Sequence, residues 1–297
     1  MRTAAIGIGS NSLRMLVADI AEGKLKRLKR YREGLRVFAA LDENKNIVPE
    51  MIQSACESVR KLRDEALSQG AEKVHLFATS AVRDASNQEK FMAALQDATG
   101  LELDVCSGDE EACLSFWGAA ENEPTGLIDI GGGSTEIAVG CGRAVDEAVS
   151  LQMGAVRLYR MYPITCREEA DKVVQAAQEL LLPVEQRFKA SGSRSWVGVG
   201  GTFTTSAALV QRIPWQDREK IHGFVLKRET VKETLELLAD MPVEERLKME
   251  CMQPQRADIV AHGIAILLAC MQKLDISSIT VSEYGNLEGY LKQKYLF

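Results

Sequence analysis

The hydrophobic and polar positions of the chain alternate between short apolar runs and longer amphipathic stretches. Residues 4–8 and 13–20 are apolar runs of strand length separated by a Gly-Ser-Asn-Ser turn, and residues 24–31 predict a third strand. Between residues 49 and 69 the apolar positions recur every three or four residues, which predicts an amphipathic helix. Pro49 suits the first turn of that helix, and Gly70 can end it in a left-handed conformation. A buried strand at 74–78, a helix capped by Asn87 and ending near Gly100, and an edge strand at 101–105 follow.

The same strand–loop–strand unit occurs a second time, about 120 residues later. Residues 127–130 and 137–139 are apolar runs on either side of a Gly-Gly-Gly-Ser-Thr turn. Helices at 167–186, 230–239 and 257–273 and a strand at 279–282 are predicted after it. The alternation of strands and helices predicts an α/β protein, and two copies of one unit predict two related domains facing each other across a cleft. We place the first domain at 1–120, with a last helix at 286–297 packed on it, and the second at 121–285.

Composition narrows the class of protein further. A chain of 297 residues can form two domains with separate cores. No apolar run approaches the roughly 20 residues that a membrane span needs, so we predict no membrane partner. The seven cysteines are scattered without a C-x-x-C pair, which favours reduced thiols in the cytoplasm over a disulfide framework or a zinc site. A net charge of −6 argues against general nucleic-acid binding.

One segment of this acidic chain is rich in basic residues. Residues 24–36 read KLKRLKRYREGLR and are strongly basic. The segment is either one solvated face of a strand or a rim that attracts anions by electrostatic steering.

Three glycine-containing loops, each following an apolar strand, are candidate phosphate-binding sites. Glycine lets backbone N–H groups converge on one point, and such nests bind phosphate oxygens. The third loop precedes a helix, whose N-terminus favours anions. The first loop nearly matches a dinucleotide-binding fingerprint, but it leads into a strand rather than the required helix, which argues against that reading. A P-loop is excluded because no G-x-x-x-x-G-K-[ST] motif is present. The candidate residues are Gly9, Ser10, Asn11 and Ser12, then Gly131, Gly132, Gly133, Ser134 and Thr135, and finally Gly200, Gly201 and Thr202.

These loops and the segments between them resemble one known family. The matching segments span nearly the whole chain: I-G-S-N-S at 8–12, A-T-S-A-V-R-D-A-S-N at 78–87, S-G-D-E-E-A at 107–112, D-I-G-G-G-S-T-E at 129–136, G-G-T at 200–202 and R-A-D at 256–258. The chain resembles the exopolyphosphatase and guanosine pentaphosphate phosphohydrolase family, within the superfamily of actin, sugar kinases and the 70-kDa heat-shock chaperones. It looks like the short, two-domain form of that family, which implies two actin-like (ribonuclease H-like) domains of mixed sheet flanked by helices, with a cleft between them.

The resemblance implies a catalytic role for one residue of the E-E-A block, and the 78–87 segment offers a candidate cation. Glu111 corresponds to the catalytic base, which would orient a water and accept its proton. Ser107 and Glu110 have the spacing of a capping box, which explains Glu110 without chemistry, and Glu111 then lies about 100° away around the helix. Arg83 is the candidate to neutralise phosphate charge, unless it forms a structural ion pair.

The resemblance also implies a magnesium site. Asp129 and Glu136 flank the second glycine loop at strand ends, which suits a Mg²⁺ ion that keeps several waters and contacts substrate phosphate. Surface carboxylates at strand ends are the alternative reading. The family usually has an aspartate where this sequence has Gly7, so one carboxylate of the first loop is missing here.

The resulting expectation is Mg²⁺-dependent release of terminal phosphate from polyphosphate, with guanosine pentaphosphate as the other substrate of the class. A non-catalytic polyphosphate or alarmone sensor, which the missing carboxylate favours, and an actin-fold small-molecule kinase remain as alternatives. A homodimer remains open.

Overall fold

The computed structural model describes residues 1–189 and 195–297. The strands are β1 (Arg2–Ile8), β2 (Ser12–Ala21), β3 (Lys24–Gly34), β4 (Lys73–Ala78), β5 (Leu103–Val105), β6 (Pro124–Ile130), β7 (Thr135–Cys141), β8 (Ala144–Leu151), β9 (Ser195–Val199), β10 (Val225–Lys227) and β11 (Ser278–Val281). The helices are α1 (Pro49–Ser68), α2 (Ser80–Arg83), α3 (Gln88–Thr99), α4 (Gly108–Ala119), α5 (Ala155–Met161), α6 (Arg167–Leu181), α7 (Glu185–Lys189), α8 (Gly201–Gln211), α9 (Arg218–Ile221), α10 (Arg228–Ala239), α11 (Val243–Arg246), α12 (Val260–Lys273) and α13 (Asn286–Tyr295).

The chain forms two compact units, the first comprising residues 1–118 and 286–297 and the second residues 119–285. The sheet of the first unit has the order β3-β2-β1-β4-β5. Strands β1, β2 and β3 are antiparallel neighbours, whereas β4 and β5 run parallel to β1. The predicted hairpin after the first apolar run is therefore confirmed. Helix α13 packs on this sheet, where Leu287 and Leu291 are buried beside Phe77 and Leu16.

The second unit repeats the plan of the first. Its sheet has the order β10-β11-β9-β6-β7-β8, with β6, β7 and β8 as the antiparallel meander and β9 parallel to β6. The two turns also have the same geometry, since Gly9 N donates to Ser12 O and Gly131 N donates to Ser134 O, both at 3.0 Å. The strand–loop–strand repeat predicted from the sequence is therefore confirmed, and it extends to the backbone hydrogen bonds of the two turns.

Local boundaries differ from the sequence predictions at three places. Asn87 precedes α3, but its side chain bonds the backbone N–H and C=O of Ile47 instead of capping the helix. The single helix predicted at 167–186 is two helices, α6 and α7, separated by a turn around Pro183, which lacks the N–H that a continuous helix needs. The helix predicted from residue 257 begins at Val260, after a 3₁₀ turn at Pro254–Arg256.

Two short or polar strands, β8 and β10, were not predicted. In β8 no residue is fully buried, so the strand needs no strict alternation of apolar and polar residues by which it could be predicted. Within the described part of the chain, no helix has the length and apolar character needed to cross a bilayer.

Candidate phosphate and metal sites

The first glycine loop joins β1 to β2, and the segment after β3 holds it in place. Phe38 N donates to Ser10 O at 3.0 Å, and Arg36 N donates to Asn11 O at 3.3 Å. In a trans peptide the carbonyl of one residue and the N–H of the next point in opposite directions. The N–H groups of Asn11 and Ser12 therefore point away from the 36–38 segment, as an anion nest requires.

A serine pair connects this loop to the segment that carries Arg83. Ser10 Oγ lies 2.8 Å from Ser80 Oγ, and both side chains are buried. Ser80 begins α2, and Arg83 ends it. One turn of helix thus fixes the guanidinium relative to the first loop. Ser80 was not among the candidate residues predicted from the sequence, because nothing in its local pattern indicates a contact with residue 10.

Arg83 and Glu111 form a close ion pair in the first unit. Arg83 Nη1 donates to Glu111 Oε2 at 2.9 Å and to the Cys106 carbonyl at 3.1 Å. The Glu111 side chain is 8% exposed, and that of Arg83 is 18% exposed. The geometry fixes the orientation of the Glu111 carboxylate within reach of solvent.

The neighbouring glutamate has the other role that its spacing predicts. Ser107 N donates to Glu110 Oε2 at 2.8 Å, and Glu110 N donates to Ser107 Oγ at 3.2 Å, so the capping box at the start of α4 is confirmed. Glu110 is exposed, whereas Glu111 is buried. The two adjacent carboxylates therefore lie in different environments.

Some buried polar side-chain atoms among the described residues of the first unit have no hydrogen-bond partner. Within residues 1–189 and 195–297, Arg83 Nη2 and both polar side-chain atoms of Asn11 lack a hydrogen-bond partner. Leaving a buried donor or acceptor unsatisfied costs about 1–3 kcal/mol. A guanidinium and an amide N–H are donors that suit phosphate oxygens.

The thiol beside the ion pair stays neutral. Burial raises the pKa of Cys106 to about 12, and the negative charge of Glu111 acts in the same direction. Because the thiol is protonated below this pKa, Cys106 adds no negative charge to the site near neutral pH.

Gly7 lies on β1 under an aromatic ring. It pairs with Phe77 on β4 and Arg14 on β2 and has an extended strand conformation. A Cβ at this position would lie 2.8 Å from Phe77 Cζ. The Phe77 ring stacks on Tyr290 of α13, with centroids 4.6 Å apart. Any side chain at residue 7, including a carboxylate, would therefore meet the Phe77 ring.

We expect Gly7→Ala to lower the free energy of unfolding by about 1–3 kcal/mol, since extra atoms in a packed core force displacement of their neighbours. Phe77→Leu should recover part of that loss, so that the double variant loses less than the sum of the two single variants. Urea unfolding of the four proteins measures this coupling. Strict additivity would show that the ring does not restrict residue 7.

The second glycine loop is held from one side by α5. Ala155 N donates to Gly131 O, while Val156 N and Arg157 N donate to Gly132 O, at 2.9–3.0 Å. The Arg157 guanidinium donates to Gly133 O at 2.7 Å. Since these carbonyls point towards α5, the N–H groups of the following residues, up to Ser134, point to the opposite side of the loop. Thr135 uses its hydroxyl to bond the Met153 carbonyl, so that hydroxyl proton is engaged within the unit.

Asp129 and Glu136 face each other across the hairpin of the second unit. They are register partners on β6 and β7, so their side chains lie on the same face of the sheet. Both are buried, and Glu136 Oε1 accepts a hydrogen bond from Ser150 Oγ at 2.7 Å. Like charges directly opposite destabilise a sheet, and a cation bound by both would remove that cost. No group of three or more His, Cys, Asp or Glu side chains suited to a metal occurs among the described residues.

The third loop lies between a carboxylate and a guanidinium. Gly200 has a φ of 95°, and a Cβ there would be 2.8 Å from Asp129 Oδ1. A Cβ on Gly201 would be about 2 Å from three atoms of the Arg256 guanidinium group. Both glycines are thus required by close approach of charged groups at the start of α8. Arg256 is buried, and its place at this loop was not predicted, although the R-A-D segment was noted.

The profile of the Ppx/GppA phosphatase family matches residues 16–296. The chain belongs to this family. Among curated relatives, exopolyphosphatase 2 from two strains of Mycobacterium tuberculosis is 32% identical over 310 aligned positions, which cover 97% of this chain and 97% of the relative. The family predicted from the motifs is confirmed.

Solved structures confirm the fold. The PPX-GPPA enzyme of Aquifex aeolicus is 29% identical, with a TM-score of 0.84 over 99% of both chains. An exopolyphosphatase from Cytophaga hutchinsonii is 24% identical, with a TM-score of 0.89 over 99% of this chain and 98% of that one, and shows likeness of fold. The prediction of an α/β protein with two actin-like domains of mixed sheet flanked by helices is correct.

Proposed function

We propose that this protein releases terminal orthophosphate from inorganic polyphosphate. The observation that carries the proposal is that Arg83, which pairs with the Glu111 carboxylate through Nη1, has a second buried Nη2 donor without a partner, and that the Asn11 amide of the first loop is likewise buried without one, within the described residues of the first unit. Such donors suit phosphoryl oxygens, and the Arg83 donor belongs to the side chain that orients the candidate base. The name of the M. tuberculosis relative supports polyphosphate as the substrate.

In the proposed reaction Glu111 activates water. Arg83 holds one carboxylate oxygen, and the other can accept the proton of a water aligned for attack on the terminal phosphorus. The new P–O bond forms as the bond to the bridging oxygen breaks, and the leaving phosphate takes the electron pair. Arg83 Nη2, the Asn11 amide and the loop N–H groups stabilise the charge on the transferred phosphoryl oxygens.

The second unit offers a candidate site for Mg²⁺. Asp129 and Glu136 provide two carboxylates on one face, and an ion held by this pair would rely largely on waters and phosphate oxygens for the rest of its coordination. Mg²⁺ bound by these carboxylates would supply positive charge that attracts phosphate oxygens. The scattered cysteines favour the cytoplasm as the place of action.

A non-catalytic sensor is the second candidate, because Gly7 offers no carboxylate and its space is closed by Phe77. The sensor would use the same donors to bind polyphosphate or an alarmone without turnover.

Phosphate-release assays separate these functions. We expect orthophosphate from polyphosphates of several lengths, with activity that depends on Mg²⁺, and we include guanosine pentaphosphate as the second substrate. Binding of polyphosphate without release would identify the sensor. Phosphate appearing on ADP or a sugar instead of in water would identify a kinase. Either result would overturn the hydrolase.

A further inference from the structure

The first unit has a strongly basic edge. Strand β3 is the outer strand of its sheet and contains six basic side chains against one acidic side chain, Glu33. The whole chain has a net charge of −6, so the positive charge of this strand is opposite in sign to that of the protein. The exposed basic residues are Lys24, Lys26, Lys29, Arg30 and Arg32.

The basic strand leads directly to the first glycine loop. Gly34, at its end, pairs with Ser12, and the next residues bond the carbonyls of Ser10 and Asn11. From there the strand extends back to Lys24, a span of roughly 33 Å at about 3.3 Å per residue. A bulge opposite Val17 and Ala18 shifts the register once along this length. The charges therefore form a line that starts at the candidate phosphate site of the same unit.

Carboxylates on two flanking helices and on β2 lie beside part of this line. Glu288 of α13 is fully buried and lies 3.4 Å from Arg27 and 4.0 Å from Arg30. Glu65 of α1 lies 3.8 Å from Lys29. Lys26 is the register partner of Asp19, whose carboxylate forms an ion pair with Arg2 at 2.9 Å. The Lys29 side chain nevertheless remains 56% exposed.

We propose that β3 is a docking track for the distal part of a linear inorganic polyphosphate whose terminal phosphate occupies the first loop. The proposal rests on the proposed function for the identity of the ligand. A linear polyanion fits a linear row of cations that continues from an anion site. Single-stranded nucleic acid would need exposed aromatic side chains for stacking. The one aromatic residue of β3, Tyr31, is half-buried and donates its hydroxyl proton to Glu65 at 2.6 Å.

The test removes two charges far from the loop. Lys24→Gln/Lys26→Gln should raise the Kd and the KM for long-chain polyphosphate by about fivefold at low ionic strength, and leave kcat and the KM for tripolyphosphate unchanged. The slope of log Kd against log salt should become shallower by about one to two. The matched control is Lys61→Gln/Lys90→Gln, which removes two exposed lysines from α1 and α3 of the same unit.

Direct binding measurements separate this inference from the proposed function. If long-chain polyphosphate binds, and the β3 variant weakens binding more than the control, the track stands even when no phosphate is released. The proposed track would be overturned if the two double variants weakened polyphosphate binding equally, or if the β3 variant lost as much affinity for tripolyphosphate as for long-chain polyphosphate. A deoxythymidine oligonucleotide of similar charge that displaces polyphosphate at equal concentration would assign the strand to nucleic acid instead.

Discussion

We expect Glu111→Gln to lower kcat for phosphate release by about 10²- to 10⁴-fold, the span lost with a general base. The amide keeps the shape of the carboxylate and can still face Arg83 through its oxygen, so KM should change little. What is lost is the capacity to accept a proton from the attacking water. Steady-state kinetics on polyphosphate, with circular dichroism to verify folding, measure the effect.

Glu110→Gln is the matched control, because it makes the same chemical change one residue earlier on α4. Glu110 closes the capping box with Ser107, so the cost falls on stability, at about 1 kcal/mol or less, and most activity should remain. The assignment fails if both variants lose activity alike, or if Glu110 proves the essential residue.

The sequence was sufficient for the parts of the fold that depend on neighbours in the chain. The two hairpins follow from short apolar runs separated by glycine and serine, and the capping box follows from a three-residue spacing. Glu110 and Glu111 could be separated for the same reason, since helical geometry alone places them on different faces.

Contacts between segments that are distant in the chain could not be predicted from local sequence patterns. The Ser10–Ser80 hydrogen bond joins residues 70 positions apart, and Arg256 reaches Gly201 from a 3₁₀ turn more than 50 residues later. The Phe77 ring over Gly7 is of the same kind, because only the parallel pairing of β1 with β4 brings them together. Local pattern contains no information on such pairings, so the roles of these residues emerge only from the folded chain.

The shared register of the two hairpins shows how the copies have diverged. Gly7 and Arg14 occupy the positions in the first unit that Asp129 and Glu136 occupy in the second. One copy therefore presents a glycine and a cation where the other presents two carboxylates. This difference in charge suits the first hairpin to an anion and the second to a cation, and it leads to a prediction on the metal.

We expect Asp129→Asn to lower activity at millimolar Mg²⁺ by about 10²-fold, because a divalent ion loses one of its two candidate carboxylates. Thermal unfolding provides a second measurement, in which the stability difference between the variant and the native protein should change sign when Mg²⁺ is added. Without metal the variant should be more stable than the native protein, by about 0.5–1 kcal/mol, since removing one of two directly opposed carboxylates relieves repulsion. With Mg²⁺ the order should reverse, because only the native protein gains stability from binding the ion.

Asp146→Asn is the control for this pair of measurements. Asp146 is exposed on β8 of the same unit, so its substitution makes the same change of charge away from the hairpin turn. It should keep both the activity and the Mg²⁺-dependent rise in Tm. If Asp129→Asn retained the native Tm shift with Mg²⁺, Asp129 would not be a metal ligand. The opposed carboxylates would then be a structural feature of the sheet, and the cation would have to bind elsewhere in the protein or on the substrate alone.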